Sequence, residues 1–556
     1  HGTQKLYTVE CLIRSVNQIQ DQRIIRLGLR TISLKSFSEN GNNAFIFNVN
    51  GKNIYIRGSN LIPAEYFPSD ITPEKYDEII HNALSVNMNM LRVWGGGIYE
   101  ADYFYDLCDK HGIMVWQDFM FACSMYPSGE AFLLNIRNEI RYHVRRLRNH
   151  PSLVLWCGNN EIQEGYHNWG WKDAPEFDSK AAWQSYQRIF HKMIPEILIQ
   201  EDPTRPYWPS SPSPGTEDAP DLKRGDYHYW DLVKNIQPYT VYKDNVGRFM
   251  SEYGFKAYPE IRSLLLFLDK KDLDIRSEAM EAHQGWETGA DLVEKNLRWF
   301  YPEVSGIELF TYVSQLLQAD AIEFAVENQR IAKPYCMGTM YWQLNDCWPA
   351  ASWSGIDYYG RWKALHYRLK TAFRDIMFNA NTDNGCLKIH IVSDLPELKT
   401  VQLQFCILSF DGKVIAEENV IHDLSPDSSQ LVYQQDIREF LSEDEMKSSV
   451  LIMNAFNGNH LLSHKKYFFV KPRDLALKDP IISLHIEKKF NKFFIFLKTL
   501  KLAKSIYLVH TKTDGFFSDN YFDLLPGEDK IVVFVPRDNC DCKLEDFGYL
   551  SLWNCF

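Results

Sequence analysis

The sequence predicts a multidomain protein in which a central (β/α)8 barrel is flanked by β-sandwich domains. Two observations support this prediction. Across residues 51–380, short apolar runs alternate with helix-like stretches, as in a series of strand–helix units. Before and after this region, apolar residues recur with a period of two, which is typical of antiparallel strands. The length of 556 residues allows roughly three or four domains.

Residues 1–50 predict β-structure but not a complete domain. Strands are expected at 6–14, 23–33 and 44–49. Two or three strands cannot form a stable sandwich alone. We therefore interpret residues 1–50 as the C-terminal part of a β-sandwich, and we expect the chain to be a fragment whose N-terminal domains lie upstream.

The barrel is predicted to contain eight strands in order along the chain. They are expected at 53–57, 90–93, 113–118, 153–156, 206–210, 226–230, 247–251 and 337–342. Thr72 and Pro73 have the residue types of an N-cap and a first helical position, so a helix is expected at 72–86. Further helices are expected at 101–111, up to about 148, at 180–199 and at 361–377, with a mostly helical insertion at 270–330.

Period-two patterning returns after residue 385 in two sets of strands. The first set is expected at 387–393, 400–410, 430–433, 449–456 and 466–470. The second set is expected at 482–486, 492–498, 505–510 and 530–534. Each set predicts an antiparallel sandwich. We therefore expect the barrel to occupy 51–380 and two further domains to occupy 381–473 and 474–556.

The composition argues against several classes of protein. A net charge of -12 argues against nucleic-acid binding, which needs a basic patch. No apolar run approaches the ~18 residues of a membrane span, so no membrane insertion is expected. The 11 cysteines are odd in number and scattered, so we expect at least one unpaired thiol and the cysteines in general to be reduced or buried. Cys540 and Cys542 alone cannot form a zinc site, and we expect no metal and no other cofactor.

Two acidic residues stand at predicted strand ends. The apolar run 153–156 leads into Asn159, Asn160 and Glu161, and Glu252 follows the run 247–251. Because barrel enzymes place their sites at the carboxyl ends of the strands, we expect the two carboxylates to lie in one site. Glycoside hydrolysis needs such a pair: one carboxyl protonates the leaving oxygen, and the other attacks or activates water.

Aromatic and polar side chains are found at the same predicted strand ends. Sugars present C–H faces that stack on aromatic rings, and hydroxyls that need fixed polar partners. The residues concerned are Arg92, Trp94, Asp118, Asn160, His228, Tyr229, Trp230, Tyr253, Trp342, Asn345 and Asp346. This set predicts a carbohydrate-binding cleft around the two glutamates.

These residues also have structural interpretations. Glu161 could be a surface acid in the first turn of a helix, and Glu252 could be an ion-pair partner of Arg92. The tryptophans, Trp94 among them, could pack in the core. His228 is a lone histidine, for which a structural hydrogen bond is expected rather than acid–base chemistry.

Three runs of this sequence resemble motifs of glycoside hydrolase family 2. The run 149–161 resembles the acid/base motif of that family. The runs 89–97 and 251–255 resemble its β-mannosidase branch in particular, since the β-galactosidase and β-glucuronidase branches lack the Trp-Gly-Gly-Gly run at 94–97. The resemblance extends over the chain in domain order and implies immunoglobulin-like sandwiches on both sides of the barrel.

The resemblance implies a retaining exo-β-mannosidase that hydrolyses terminal non-reducing β-D-mannose residues by double displacement. It assigns the acid/base role to Glu161 and the nucleophile role to Glu252, with Arg92 supporting the nucleophile. Together with the strand-end positions, it predicts a substrate pocket lined by Arg92, Trp94, Asn160, Trp169, Tyr229, Trp230 and Trp342.

This assignment carries expectations about the two carboxyl groups. They should lie ~5–5.5 Å apart, as in retaining enzymes. A nearby Arg92 is expected to lower the pKa of Glu252, so that this carboxyl is ionised. Glu161 is expected to stay protonated until the glycosidic bond breaks.

The expected substrate is a small oligosaccharide or a β-mannoside, and the chain is expected to be a monomer or a homodimer. The sequence contains no Asn-x-Ser/Thr, which favours a bacterial periplasmic or secreted protein over a lysosomal one. Two alternatives stay open. The chain could be a family-2 glycosidase for another β-sugar, or a catalytically weak carbohydrate-binding fragment.

Overall fold

The computed structural model describes residues 4–16, 18–37, 43–175, 178–284, 289–537 and 542–556. The chain forms two compact units. The first unit comprises His1–Trp230, Asp244–Gly254 and Pro334–Trp348. The second unit comprises Asp231–Lys243, Phe255–Lys333 and Pro349–Phe556. Cys540 lies outside the described residues, and the ten cysteines within them are all free thiols, as expected.

An eight-stranded parallel sheet is the centre of the first unit. Its strands, here numbered one to eight in chain order, are Ile56–Leu61, Met90–Val93, Met114–Asp118, Leu153–Cys157, Tyr207–Trp208, Tyr227–Tyr229, Met250–Tyr253 and Gly338–Tyr341. Across the sheet the strands lie in the order five, four, three, two, one, eight, seven, six. This is the strand order of a (β/α)8 barrel, so the predicted fold class is confirmed.

The hydrogen-bonded ladder is interrupted between strands five and six. Side chains connect the two strands there, because the Trp208 indole donates to Asp226 at 2.8 Å (Nε1–Oδ1). The predicted strand at 53–57 is wrong in its limits. Lys52–Ile54 pairs antiparallel with Asn43–Val49, and strand one starts at Ile56.

In the described part of the first unit, six α-helices follow barrel strands in the chain. They are Pro73–Ser85, Asp102–His111, Glu130–Leu147, Ile162–Asn168, Ser179–Tyr186 and Ile194–Glu201. Pro73–Ser85 begins with proline at its first position, as predicted, and buries Tyr76, Ile79, Ile80 and Ala83 on one face. The helix expected at 180–199 is interrupted by a π-helical segment, Gln187–Met193.

An aromatic cluster fills the N-terminal end of the barrel. Phe45 and Phe47 come from the strand Asn43–Val49. The Phe45 ring lies 4.9 Å from Trp208 and 5.0 Å from Phe249 between centroids. Since the starts of strands one and two also contribute buried residues to this cluster, that end is closed. The carboxyl ends of the strands are therefore the place for a ligand.

The remaining strands of the first unit lie near the N-terminus. Leu6–Ser15 pairs antiparallel with Gln18–Gly28 in a two-stranded sheet. Ile32–Phe37 pairs with Asn43–Val49, which completes a three-stranded sheet with Lys52–Ile54. The expected β-structure of residues 1–50 is therefore present. Its last strand, Asn43–Val49, contributes Phe45 and Phe47 to the aromatic cluster at the N-terminal end of the barrel.

The second unit contains helices and two antiparallel sandwiches. Its α-helices are Asp231–Lys234, Ile261–Leu264, Glu278–Ala282, Gly289–Phe300, Ile307–Ile331, Ala364–Ala372 and Glu443–Met446. The expected helical insertion at 270–330 is thus present. Among the residues that the structure describes, no helix combines the length and the apolar character needed to cross a lipid bilayer.

Each sandwich packs a four-stranded sheet against a three-stranded sheet. The first is built from Ile376–Asp383, Cys386–Ser393 and Ser428–Asp436 on one side, and Lys399–Ser409, Val414–Leu424, Ser449–Asn457 and His460–Phe468 on the other. The second is built from Ile482–Lys489, Lys492–Thr499, Gly515–Phe517 and Lys530–Pro536, and Ala503–His510, Phe522–Leu524 and Phe547–Leu550. Each encloses its own apolar core.

Candidate active site

Both predicted catalytic carboxylates lie at the carboxyl end of the barrel. Glu252 is the third residue of strand seven. Glu161 follows strand four and precedes the helix Ile162–Asn168, and its backbone is left-handed at φ 61° and ψ 11°. A non-glycine residue in this region costs about 1–3 kcal/mol. Hydrogen bonds hold it there, since its N–H donates to Ser211 and its carbonyl accepts from Gly165, both at 2.8 Å.

Arg92 on strand two donates hydrogen bonds to several residues of the site. Its side chain is fully buried, and Nη1 donates to Glu252 Oε1 at 2.6 Å and to Asn60 Oδ1 at 3.0 Å. Nη2 donates to Asp118 Oδ2 and to Asn160 Oδ1, both at 2.8 Å. Burial alone would lower the pKa of Arg92, but Asp118 and Glu252 outweigh it and raise that pKa above the ordinary value. The guanidinium therefore stays charged and fixes the carboxylate of Glu252.

Asp118 accepts from Nε and Nη2 of Arg92, whereas Glu252 accepts from Nη1. Its two oxygens also accept from the Trp116 indole at 2.9 Å and from the Gly95 amide at 3.0 Å. A planar guanidinium with carboxylates and amides on all edges has little freedom to rotate. The sequence places Asp118 at a predicted strand end, and the structure shows that its carboxylate binds Arg92.

The pKa of Glu252 differs from the expectation. Burial raises it, and the charge of Glu161 adds to that rise, while His228 and Arg92 oppose it. The expected lowering by Arg92 is present, but burial is the larger effect and the net direction is upward. The second oxygen, Oε2, accepts from the Trp230 indole at 3.3 Å.

His228 contacts both Glu161 and Glu252. Its Nδ1 lies 2.9 Å from Glu161 Oε1 and 3.4 Å from Glu252 Oε2. One carboxylate oxygen of each glutamate and one ring nitrogen of His228 all lie within 4.8 Å of one another. The expectation of an isolated, structural histidine is therefore too narrow, because His228 contacts both carboxylates that the sequence singled out.

Asp226 and Ser211 complete the site and were not found from the sequence. Ser211 Oγ lies 2.9 Å from His228 Nε2 and donates to Asp226 Oδ2 at 2.6 Å. The Asp226-Tyr-His228 spacing contained a signal, since residues two apart on a strand share a face. Ser211 carried none, because it lies on the loop after strand five.

The tryptophans occupy different parts of the site. The rings of Trp94 and Trp342 lie 5.1 Å apart at 75°, and both are partly exposed, as is that of Trp230. Trp169 ends the helix that follows Glu161, and its ring packs edge-to-face on Trp171 at 5.5 Å. The structure thus places three of these rings beside the carboxyl ends of strands two, six and eight.

Asn160 and Tyr229 differ in their surroundings. Asn160 accepts from Arg92 with its oxygen, and its nitrogen lies 3.4 Å from Glu161 Oε2. Tyr229 is buried, and strand alternation puts its side chain on the face opposite His228. Its predicted contact with substrate is therefore the least supported by the geometry.

Comparisons with known proteins identify the family of the chain. Residues 385–474 match the family model of a mannosidase Ig/CBM-like domain, and residues 477–555 match that of an Ig-fold domain. The β-mannosidase of Rattus norvegicus is 31% identical over 596 residues, which cover 100% of this chain and 67% of that protein. The chain belongs to the β-mannosidase family. The β-mannosidase of Capra hircus is 31% identical over 96% of this chain, which spans 64% of the goat protein.

A solved structure of the β-mannosidase family has the same fold. The β-D-mannosidase from Dictyoglomus thermophilum superposes with a TM-score of 0.89 at 31% identity, covering 99% of this chain and 67% of that one. The exo-chitosanase of Amycolatopsis orientalis superposes with a TM-score of 0.76 at 16% identity, which shows a shared fold alone. This member of the β-mannosidase family thus spans about two thirds of the length of its relatives.

Proposed function

We propose that this chain carries the catalytic site of a retaining exo-β-mannosidase, which removes terminal non-reducing β-D-mannose from oligosaccharides or β-mannosides. The observation that carries the proposal is the close pair of buried glutamates, Glu161 and Glu252, at the carboxyl end of the barrel. Carboxylate oxygens of the pair lie within 4.8 Å of each other. Retaining glycosidases have close carboxyl pairs, whereas inverting enzymes leave room for a water between them.

In the first step, Glu252 attacks the anomeric carbon. Arg92 holds Oε1 at 2.6 Å, so Oε2 is the oxygen on the side of His228 and Glu161. As the bond from Oε2 to the anomeric carbon forms, the bond to the leaving oxygen breaks and Glu161 donates its proton to that oxygen. The products are a glycosyl ester on Glu252 and a free alcohol.

In the second step, water resolves the ester. Glu161, now a carboxylate, takes a proton from water while the water oxygen bonds to the anomeric carbon. Glu252 leaves as a carboxylate and returns to Arg92. Two inversions at one carbon give net retention of configuration, and the protonation of Glu161 is restored.

Arg92 favours the ionised form of Glu252 in each resting state. Burial raises the pKa of Glu252, which makes the carboxylate a better nucleophile than a solvated one, while Arg92 and His228 limit the rise. Because Asp118 shares the charge of Arg92, the guanidinium can release Glu252 to the sugar without leaving a lone buried cation.

The rings of Trp94, Trp230 and Trp342 support the sugar-binding part of the proposal. Partly exposed indoles offer faces for the C–H surface of a pyranose, and Asn160 offers an amide beside Glu161. We also propose a monomer or a homodimer. The lack of Asn-x-Ser/Thr favours a bacterial periplasmic or secreted location over a lysosomal one.

The test is a panel of 4-nitrophenyl β-glycosides. We expect this chain to release nitrophenol from the β-mannoside faster than from the β-glucoside, β-galactoside, β-glucuronide or β-glucosaminide, and the Glu252→Gln variant to release none above background. A preference for another member of the panel would identify a different sugar. A wild-type chain that binds mannose but cleaves no glycoside would show a carbohydrate-binding protein instead.

A further inference from the structure

The Trp-Gly-Gly-Gly run at 94–97 forms a turn directly after strand two. The Trp94 amide donates to the Leu61 carbonyl at 3.2 Å, and the Gly97 amide donates to the Trp94 carbonyl at 3.1 Å. The second of these bonds closes a four-residue turn. The proposed sugar pocket uses the tryptophan of this run, and the three glycines differ in what surrounds them.

Backbone conformation does not account for glycine in this turn. None of Gly95, Gly96 and Gly97 has the positive φ at which glycine is favoured over other residues. Left-handed backbone therefore excludes alanine at none of the three positions. The space around each Cα decides instead whether a side chain is accepted there.

Gly95 and Gly97 pack closely against the rest of the barrel. A methyl group at Gly95 would lie 2.8 Å from the carbonyl oxygen of Phe121 and 2.9 Å from that of Phe119. A methyl group at Gly97 would lie 2.9 Å from Cδ of Pro63. These two glycines thus allow the turn to approach neighbouring backbone and a proline ring.

Gly96 differs from its two neighbours because it meets the indole of Trp94. A methyl group at Gly96 would lie 2.1 Å from Cη2, 2.3 Å from Cζ2 and 2.4 Å from Cζ3 of that ring. Non-bonded carbon atoms rest about 3.5–4.0 Å apart. The indole therefore occupies the space that a side chain at position 96 would need. Any larger residue there must displace the ring.

The Trp94 ring also packs against the ring of Trp342. The two centroids lie 5.1 Å apart, and the ring planes meet at 75°. Such an edge-to-face contact favours a definite orientation of both rings. Because a methyl group at Gly96 would displace the Trp94 indole, it would also change this contact.

We propose that Gly96 is a positioning residue for the sugar: the space it leaves open sets the place and orientation in which the Trp94 indole meets the substrate. This inference rests on the proposed glycosidase function, in which Trp94 lines the mannose pocket. Gly96 takes no part in the bonds that form and break. Its substitution should therefore weaken substrate binding more than the chemical steps.

The kinetic test is Gly96→Ala with 4-nitrophenyl β-mannoside as substrate. We expect kcat/KM to fall about 10-fold or more, mainly through a higher KM. Gly129→Ala is the matched control, because an added methyl group there has no heavy atom of the described chain within 4 Å and φ is -64°. The control should keep the wild-type kcat and KM. A Gly96→Ala variant with wild-type kinetics would refute the proposal.

A double-mutant cycle separates the role of the indole from a general effect on the turn. Phenylalanine lacks the Cζ2, Cζ3 and Cη2 atoms of an indole, so Trp94→Phe removes the atoms that a methyl group at Gly96 would meet. In the Trp94→Phe background, Gly96→Ala should lower kcat/KM by less than about threefold. An equal loss in both backgrounds would show that Gly96 acts through the backbone, and the proposal would be wrong.

A measurement independent of activity separates this inference from the proposed function. In protein labelled with 5-fluorotryptophan, loss of one 19F signal in Trp94→Phe and of another in Trp342→Phe identifies the two rings. Gly96→Ala should shift both signals and leave most of the other tryptophan signals in place, whereas Gly129→Ala should shift neither. An unchanged Trp94 signal in Gly96→Ala would overturn the inference. Chains that cleave no glycoside but show these shifts would refute the proposed function while supporting the role of Gly96 in placing the ring.

Discussion

Arg92 Nη1 lies 2.6 Å from Glu252 Oε1, although 160 residues separate the two in the chain. Strand two contributes the guanidinium and strand seven the carboxylate. The side chains are almost fully buried. A buried ion pair is weak evidence for stability, because desolvation offsets much of the attraction. Its placement beside a second glutamate points instead to function.

Arg92→Lys should lower kcat for an aryl β-mannoside by about 100-fold or more. Lysine keeps the charge but cannot reach Glu252, Asp118 and Asn160 together as the forked guanidinium does. Steady-state kinetics on purified protein would measure the change.

The control for this substitution is Arg248→Lys. Arg248 precedes strand seven, and its guanidinium lies 4.0 Å from the centroid of the Tyr335 ring. Its described contacts do not include Glu161 or Glu252. Its variant should retain most of the activity. Equal losses in both variants would mean that Arg92 acts only through general stability.

Glu161→Ala should affect substrates according to their leaving groups. Cleavage of poor leaving groups should fall by ~10²-fold or more, and that of 2,4-dinitrophenyl β-mannoside far less, because only the former need a proton. Azide should restore part of the second step by replacing water as the nucleophile.

Glu164→Gln is the matched control, since Glu164 lies one helical turn from Glu161 and bonds to Asn168 at 2.9 Å. Its leaving-group dependence should equal that of the wild type. A Glu161→Ala variant with equal losses on both substrate classes would remove Glu161 from the acid role.

Glu252→Gln should lower kcat by at least ~10³-fold, because the amide cannot form the glycosyl ester. A 2-deoxy-2-fluoro-mannosyl fluoride should inactivate the wild type and add its sugar to one peptide. Mass spectrometric mapping should place the label on Glu252, and the Glu252→Gln variant should not be labelled. A label on another carboxylate would show that the nucleophile lies elsewhere.

The stereochemical outcome follows from the short distance between the glutamates. Proton NMR during hydrolysis of a β-mannoside should show β-mannose as the first product, before mutarotation. First appearance of the α-anomer would exclude double displacement, whatever the rate.

Lys256, in the second unit, should make stability depend on pH. Burial and the charge of Lys363 lower its pKa from 10.5 to about 7. Between these values the unfolded chain holds a proton that the folded chain lacks, so this group adds stability as the pH rises, by ~1.4 kcal/mol per unit. The free energy of unfolding of Lys256→Met should therefore exceed that of the wild type by the largest amount near pH 7, and this difference should shrink toward pH 10.

Denaturant unfolding at several pH values would measure this difference. Lys271→Met serves as the control, because Lys271 is exposed. Its difference from wild type should not change with pH. If Lys256→Met behaves like the control, Lys256 remains charged in the folded protein.

Much of the barrel could be predicted because each strand is an apolar run that must be buried. Strand two was predicted with the limits that it has, Met90–Val93, and the others within a few residues. The exceptions have local causes. The stretch predicted as strand one divides into two strands around Tyr55, and the helix expected after strand four contains a π-helical segment that residue type does not reveal.

Sequence alone determined that Glu161, Glu252 and Arg92 belong at carboxyl ends of barrel strands, since apolar periodicity sets where each strand ends. Only the tertiary structure decided how they are connected. His228 reaches both glutamates, and Ser211 reaches His228 and Asp226, because closure of the barrel brings strands four to seven to one end. Such contacts depend on the relative positions of strands far apart in the chain, and hydrophobic patterning carries no record of these positions.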